Sequence, residues 1–104
     1  MDLASGYWQV DLSPADQEKC ALISSEGLFE PTRMPHGLCN APATFQRAMD
    51  NLLGDLKMSC VLVYLDDITV FSRTFTEHLS HLRAVFERLW DAGLKLKPSK
   101  CSFF

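Results

Sequence analysis

Cys60-Val61-Leu62-Val63-Tyr64-Leu65 and Ile68-Thr69-Val70-Phe71-Ser72 are two β-rich runs with only Asp66 and Asp67 between them. Two residues between two such runs is the length of a tight hairpin, so the strands must be antiparallel neighbours. An isolated hairpin is marginal in water, and one face of this one has to be covered. Two amphipathic helices are available to cover it. Asn40 is a good N-cap, Pro42 falls in the first turn, and Phe45, Ala48, Met49, Leu52 and Leu53 then recur at helical spacing up to Gly54. Thr74 and Glu77 stand at capping-box spacing. Leu79, Leu82, Val85, Phe86, Leu89 and Trp90 follow on one face, with Gly93 as the stop. Shorter strands are expected over 19–23 and 28–33 around the turn Ser24-Ser25-Glu26-Gly27, with a turn at Ser13-Pro14-Ala15-Asp16 and a further strand in the Lys-rich tail after Gly93. The sum is α+β: an antiparallel sheet with helices packed on one face.

The length, 104 residues, suits one domain and not two. The longest apolar run, 60–65, is far below the ~20 residues of a spanning helix, so no membrane partner is expected. Met1-Asp2-Leu3 has no basic n-region and no apolar run behind it, so no secretory signal is expected either. The four cysteines, at 20, 39, 60 and 101, form no Cys-x-x-Cys pair, which argues against a zinc ribbon. Cys20 and Cys60 have apolar neighbours and read as small buried hydrophobes, and free thiols suit a reducing compartment. A formal net charge of −3 argues against autonomous nucleic-acid binding, which usually shows a basic excess.

Asp66 and Asp67 are the residues most open to a chemical reading. Like charges at close range disfavour joint ionisation unless a cation compensates. Taken alone, Asp is also simply a good turn residue. The alternative is a hard-cation site, since Mg²⁺ typically takes one or two carboxylates plus substrate phosphates. Asp2 offers a third carboxylate, and would meet Asp66 across the sheet if its segment neighbours the hairpin. Met34-Pro35-His36-Gly37-Leu38-Cys39-Asn40-Ala41-Pro42-Ala43-Thr44-Phe45-Gln46 is a Gly-containing loop that enters a helix: either a plain capped helix or an anion-favouring N-terminus. His78 and His81, and Lys95, Lys97 and Lys100, are read as solvated faces.

Three separated strings resemble one family. Asp2-Leu3-Ala4-Ser5-Gly6-Tyr7-Trp8-Gln9 is similar to the first palm motif of reverse transcriptases, Met34 to Gln46 to the second, and Tyr64-Leu65-Asp66-Asp67 to the Tyr-x-Asp-Asp box. Residues 92–101 look like the region after the second helix of the palm. The wording is most similar to gypsy-type long-terminal-repeat retrotransposons, and the resemblance covers essentially the whole of 1–104 as a partial reverse transcriptase domain. It implies a polymerase palm and RNA-directed DNA synthesis on an RNA or DNA template with primer and deoxynucleoside triphosphate. It also implies two Mg²⁺ ions, or Mn²⁺, in an in-line displacement. One ion would lower the pKa of the primer 3′-hydroxyl. The other would hold the triphosphate and stabilise the leaving pyrophosphate.

By position, the resemblance makes Asp2 and Asp66 the principal metal ligands and Asp67 an auxiliary third. Leu3 would lie by the triphosphate, and Tyr7 would sit under the deoxyribose as a gate against a 2′-hydroxyl. Pro35, His36 and Gly37 would border sugar and base, and Gln46 would run by the template. Lys100 aligns with a lysine proposed to protonate pyrophosphate. His36 departs from the family pattern, where that position is more often Phe or Gln. The fingers, thumb and RNase H domains of the family do not fit in 104 residues. The chain is therefore expected to be inactive alone, and its parent element to work in a cytoplasmic virus-like particle. Two other readings stay open at this point: a non-catalytic, domesticated or degenerate remnant, and an unrelated Mg²⁺-dependent nucleotidyltransferase.

Overall fold

A computed structural model describes residues 1–103. Its centre is the expected hairpin, β3 (Val61–Tyr64) and β4 (Asp67–Val70), after the smaller hairpin β1 (Leu22–Ser24) and β2 (Gly27–Phe29). The three α-helices are α1 (Pro14–Gln17), α2 (Ala41–Leu53) and α3 (Phe75–Asp91). The α+β expectation holds. The antiparallel strands form two separate two-stranded sheets, β1-β2 and β3-β4.

The register of the central hairpin differs from the expectation by one residue. Tyr64 pairs with Asp67, so the turn is Leu65-Asp66 and not Asp66-Asp67. Leu65 has φ 51° while Asp66 is not left-handed. A positive φ at the first central residue and not the second sets the turn apart from the common types I and II. Asp67 is thereby freed to pair along β4. The β1-β2 hairpin is also shorter than expected. Lys19 and Cys20 belong to a 3₁₀ turn, Glu18–Cys20, because the short helix begun at Pro14 runs straight into it. Every residue of β1 and β2 is exposed.

The core lies between the central hairpin and the two long helices. Val61 and Ile68 are buried, while Leu62 and Thr69 are exposed, as strand alternation requires. Helix α2 buries Ala41, Phe45, Met49 and Leu53, a four-residue stripe. Helix α3 buries Leu82, Val85 and Leu89. Phe45 is fully buried at the middle of this cluster. Its truncation to Ala should cost about 3–5 kcal/mol.

Several expectations from periodicity need correction. Leu79, Phe86 and Trp90 lie on the flank of the α3 stripe, and Trp90 is 84% exposed. Asn40 precedes α2 but makes no side-chain cap bond. Leu38 O accepts the Ala41 N–H, and Pro42 has no N–H to be capped. At α3, the Thr74 Oγ1 accepts the Glu77 N–H at 3.2 Å, but the Glu77 carboxylate reaches back to the Arg73 N–H at 3.2 Å, one residue earlier than a full capping box. Cys60 is buried as expected, and burial pushes its thiol pKa up, with Asp55 adding to the rise. Cys20 is only half-buried. In the tail, a single bridge at Leu96 and a 3₁₀ turn, Pro98–Lys100, replace the expected strand.

Candidate active site

Asp2 is held from both sides. On one edge the Met1 nitrogen donates to Ile68 O at 2.7 Å, the Ile68 N–H donates to Met1 O at 2.8 Å, and Asp2 bridges Asp67 antiparallel. On the other edge the Lys97 N–H donates to Asp2 O at 3.0 Å, and Leu3 bridges Leu96. The order across this layer is β3, β4, residues 1–3, then the tail. The expectation that Asp2 meets Asp66 across the sheet is corrected in register. Its cross-strand partner is Asp67, because the turn sits one residue earlier than expected.

Asp2 and Asp66 nonetheless face one cavity of about 530 Å³, which His36, Lys97 and Lys100 also line. Two features fix Asp66 there. The first is the turn, which the Gln46 side chain clamps: its Oε1 accepts the Leu65 N–H at 2.9 Å, and its Nε2 donates to Val63 O at 3.2 Å and to Asp50 Oδ1 at 3.0 Å. A left-handed Leu carries backbone strain on the order of 1–2 kcal/mol. The Gln46 amide offsets that strain by giving the turn partners that local sequence does not supply. The second is Gly6, which is buried. A Cβ built on Gly6 would lie 2.9 Å from Asp66 Oδ1 and 3.0 Å from the Phe45 ring. The chain reaches that close approach by turning at Ser5, whose φ is 50°.

Among the described residues, Asp66 Oδ1 is the one buried side-chain oxygen or nitrogen without a hydrogen-bond partner. A buried carboxylate oxygen left unpaired is costly, and a cation is the partner its chemistry calls for. The donor set fits a hard divalent ion in part. Asp2 and Asp66 supply carboxylates to a common space. Among the described residues no group of three acidic, His or Cys side chains closes on one point. Two carboxylates, with further oxygens from a phosphate ligand, is a usual Mg²⁺ arrangement. The positive charge nearest Asp2 in this chain is Lys100, whose Nζ stands 3.7 Å from Asp2 Oδ2. Asp67 is exposed and outside the cavity lining.

The other expected residues divide. The Tyr7 ring is packed by Phe45 edge-on at 5.3 Å and by His36 at 5.0 Å, and His36 also meets Trp8 at 6.4 Å. His36 thus reaches the cavity through an aromatic cluster. Leu3 lines the cavity, yet it is only 4% exposed and belongs to the core. Pro35 and Gly37 flank His36 outside the cavity lining. Gln46 is occupied by the hairpin. Lys97, read from sequence as part of a solvated cluster, lines the cavity instead, and so does Lys100, which the resemblance places by the pyrophosphate. Lys97 carries no sequence signal beyond its place one residue before Pro98. His78 and His81 are not a free polar face: their Nδ1 atoms approach Ser72 Oγ at 3.2 and 2.6 Å, joining α3 to the end of β4.

Around this site the Asp50 carboxyl is held below the ordinary carboxylate range, first by its hydrogen bond from Lys57, at 2.7 Å, and also by the bond from Gln46. Arg88 joins the two long helices. It donates to Leu52 O at 3.2 Å and to Asp55 Oδ1 at 2.7 Å, and so lowers the Asp55 pKa.

Residues 1–104 match the family described as reverse transcriptase (RNA-dependent DNA polymerase). Over 103 residues the chain is 48% identical to the retrovirus-related Pol polyprotein from transposon 297 of Drosophila melanogaster, covering 99% of this chain and 10% of that one. It is 38% identical over 104 residues to the Pol polyprotein from transposon gypsy of the same species, covering 100% and 10% respectively. Among solved structures, the foamy viral protease-reverse transcriptase in complex with RNA/DNA hybrid superposes with a TM-score of 0.90 at 31% identity. That match covers 98% of this chain and 14% of the viral chain. The chain therefore spans about a tenth of the length of these curated relatives.

Proposed function

Since the chain belongs to the reverse transcriptase family, we propose that it carries the metal-binding part of a polymerase palm, adds deoxynucleotides to a primer 3′-end within a larger protein, and is inactive as 104 residues. The observation that supports this best is the orphaned, buried Asp66 Oδ1 on a cavity shared with Asp2. In this reading Asp2 and Asp66 hold two Mg²⁺ ions, or Mn²⁺, with Asp67 as an outer third carboxylate. Such ions supply Lewis-acid stabilisation of phosphoryl oxygens.

The protein's own part is positioning. The Gln46 clamp and the Gly6 approach fix the Asp66 carboxylate before any ligand arrives, and preorganisation of this kind contributes most to phosphoryl transfer. Lys97 and Lys100 give the cavity the positive charge that a triphosphate needs, and Lys100 is the proton donor to the leaving pyrophosphate. Tyr7, packed by Phe45 and His36, is the wall against a 2′-hydroxyl, and His36, with Pro35 and Gly37 around it, borders the sugar. Template and primer bind mainly through parts outside this chain. Its parent element would assemble in a cytoplasmic virus-like particle.

A chimera decides this. Residues 1–104 would replace the matching segment of the transposon 297 polyprotein, and primer extension would be measured on RNA and DNA templates. The expected result is extension by the chimera, none by its Asp66→Asn version, and none by the isolated chain with millimolar-range Mg²⁺. Equal extension with and without the Asp66 carboxylate overturns the reading, and so does Asp66-dependent extension by the chain alone for its second part.

A further inference from the structure

The strand that carries Asp2 ends abruptly. After Leu3 the backbone turns away at Ser5, where φ is 50°, so the ladder to the tail loses its next residue. A side chain takes that place. Gln9 Nε2 donates to Ala4 O at 2.6 Å and to Lys95 O at 2.9 Å, and Gln9 Oε1 accepts the Lys95 N–H at 2.7 Å. Both amide protons and the carbonyl are used. The reverse orientation would set the amide oxygen against two carbonyls, so the side chain has one way to sit. The two segments it joins are 86 residues apart in sequence.

We infer that Gln9 is a positioning residue for the metal-binding carboxylates: its amide closes the Ala4–Gly6 turn onto the tail, fixing Asp2 at one end of the turn and Gly6, against Asp66, at the other. Among the described residues, no other side chain hydrogen-bonds the turn, which is otherwise closed by the Trp8 N–H bond to Ser5 O at 3.0 Å. Ser5 makes no side-chain cap bond to the 3₁₀ segment that follows. The Ala4 N–H bond to Lys95 O, at 2.8 Å, shares its acceptor with Gln9. Without the Gln9 amide, Ala4 O and the Lys95 N–H lose their partners at the edge of the site. The Lys97 N–H bond to Asp2 O, two residues further along the tail, then keeps the Leu3–Leu96 pairing, the long Cys101 Sγ contacts to Asp2 O at 3.9 Å and Lys97 O at 3.3 Å, and the Lys100–Asp2 ion pair beside it, none of which reaches Ala4 or Lys95. Gln9 touches neither carboxylate. Its effect on an ion would be exerted through backbone placement, as with residues that orient metal ligands from outside the coordination sphere.

The inference rests on the reading of Asp2 and Asp66 as metal ligands, and the test separates the two. It uses the 104-residue chain with Gln9→Met, and with Gln17→Met as the control, since Gln17 donates to Leu12 O at 3.1 Å in another part of the molecule. Amide hydrogen exchange and Mn²⁺ affinity, from paramagnetic relaxation, are both measured. Gln9→Met is expected to speed exchange at Lys95 and Lys97 while leaving the β3-β4 ladder protected, and to weaken Mn²⁺ binding roughly tenfold. Gln17→Met should do neither. Unchanged Lys97 exchange overturns the inference, as does a uniform rise over the whole chain or an equal Mn²⁺ loss in the control. A wild-type chain that binds no Mn²⁺ sinks the metal reading, and exchange at Lys97 still decides the role of Gln9. If Gln9→Met does not fold, Gln9→Glu serves. It keeps the acceptor for the Lys95 N–H but sets a carboxylate against two carbonyls. The expected signature is fast Lys97 exchange at neutral pH, after correction for the intrinsic rate, that slows as acid protonates the new carboxyl. No such recovery overturns the inference.

Discussion

Gly6 and Asp66 lie in such close contact that a single methyl at Gly6 would stand 2.9 Å from the Asp66 carboxylate oxygen Oδ1. The φ of Gly6 is not in the left-handed region, so the constraint is space alone. Gly6→Ala must push either the Asp66 carboxylate or the Phe45 ring, which is wholly buried. Overpacking of this kind typically costs about 1–3 kcal/mol. The expected outcome is a lower Tm together with weaker Mn²⁺ binding. A Tm loss with unchanged Mn²⁺ affinity would show that the Phe45 side gives way and the carboxylate does not.

Gln46→Met removes three hydrogen bonds and leaves the strained Leu65 turn without its clamp. The Leu65 N–H and Val63 O lose protein partners close to the core. The expected destabilisation is about 2–3 kcal/mol. Amide exchange should rise first at Leu65 and then along β3-β4. If the variant matches wild type in chemical denaturation, the turn is self-supporting and the amide is not its clamp.

Acid should weaken the same region. The folded-state pKa of Asp50 is depressed, mainly by the bond from Lys57, and that of Asp55 by the bond from Arg88. A depressed carboxylate contributes stability that is fully present above its unfolded pKa, roughly 4, and is lost as pH falls through the folded value. Asp55 is exposed and Asp50 only half-buried, so the contribution is small and salt-sensitive. The Tm difference between wild type and Asp50→Asn should be present at pH 6, begin to shrink below about pH 4, and vanish once the pH has passed the depressed folded-state value. A difference that persists unchanged in acid would show that the Asp50 charge is not its source.

Tyr7→Ala, made in the transposon chimera, should admit ribonucleotides. The measurement is the ratio of kcat/KM for deoxy- over ribonucleotides, because a steric wall acts on the ribonucleotide alone. That ratio is expected to fall by about tenfold or more. Equal losses on both substrates would make Tyr7 a packing residue of the Phe45–His36 cluster and no gate.

Local pattern carried the hairpin, α2 and the buried stripe of α3, because strand alternation and helical periodicity are written in neighbouring residues. It missed by one residue at the turn, since Asp66-Asp67 looks like a turn from composition. What places the turn at Leu65-Asp66 is an amide on α2, 19 residues away. Periodicity marked Trp90 as inward because it counts phase and not the width of the partner surface. The two carboxylates were legible from the resemblance of their motifs. Lys97, Gly6 and Gln9 were not, since each acts on a segment remote in sequence.

The Asp2 segment pairs with Ile68 on one side, 67 residues away, and through Gln9 with Lys95 on the other. Contacts of such long sequence separation pay their loop-closure entropy before they are rewarded, and they form late. On a ribosome, α2 and the central hairpin can collapse while the tail is still in the exit tunnel. The segment carrying Asp2 then waits as an unpaired edge until residues 95–97 emerge. Completion of the cavity that Asp2 and Asp66 share thereby waits on residues 95–97, and a nascent polypeptide halted before Lys95 has no finished place for Asp2.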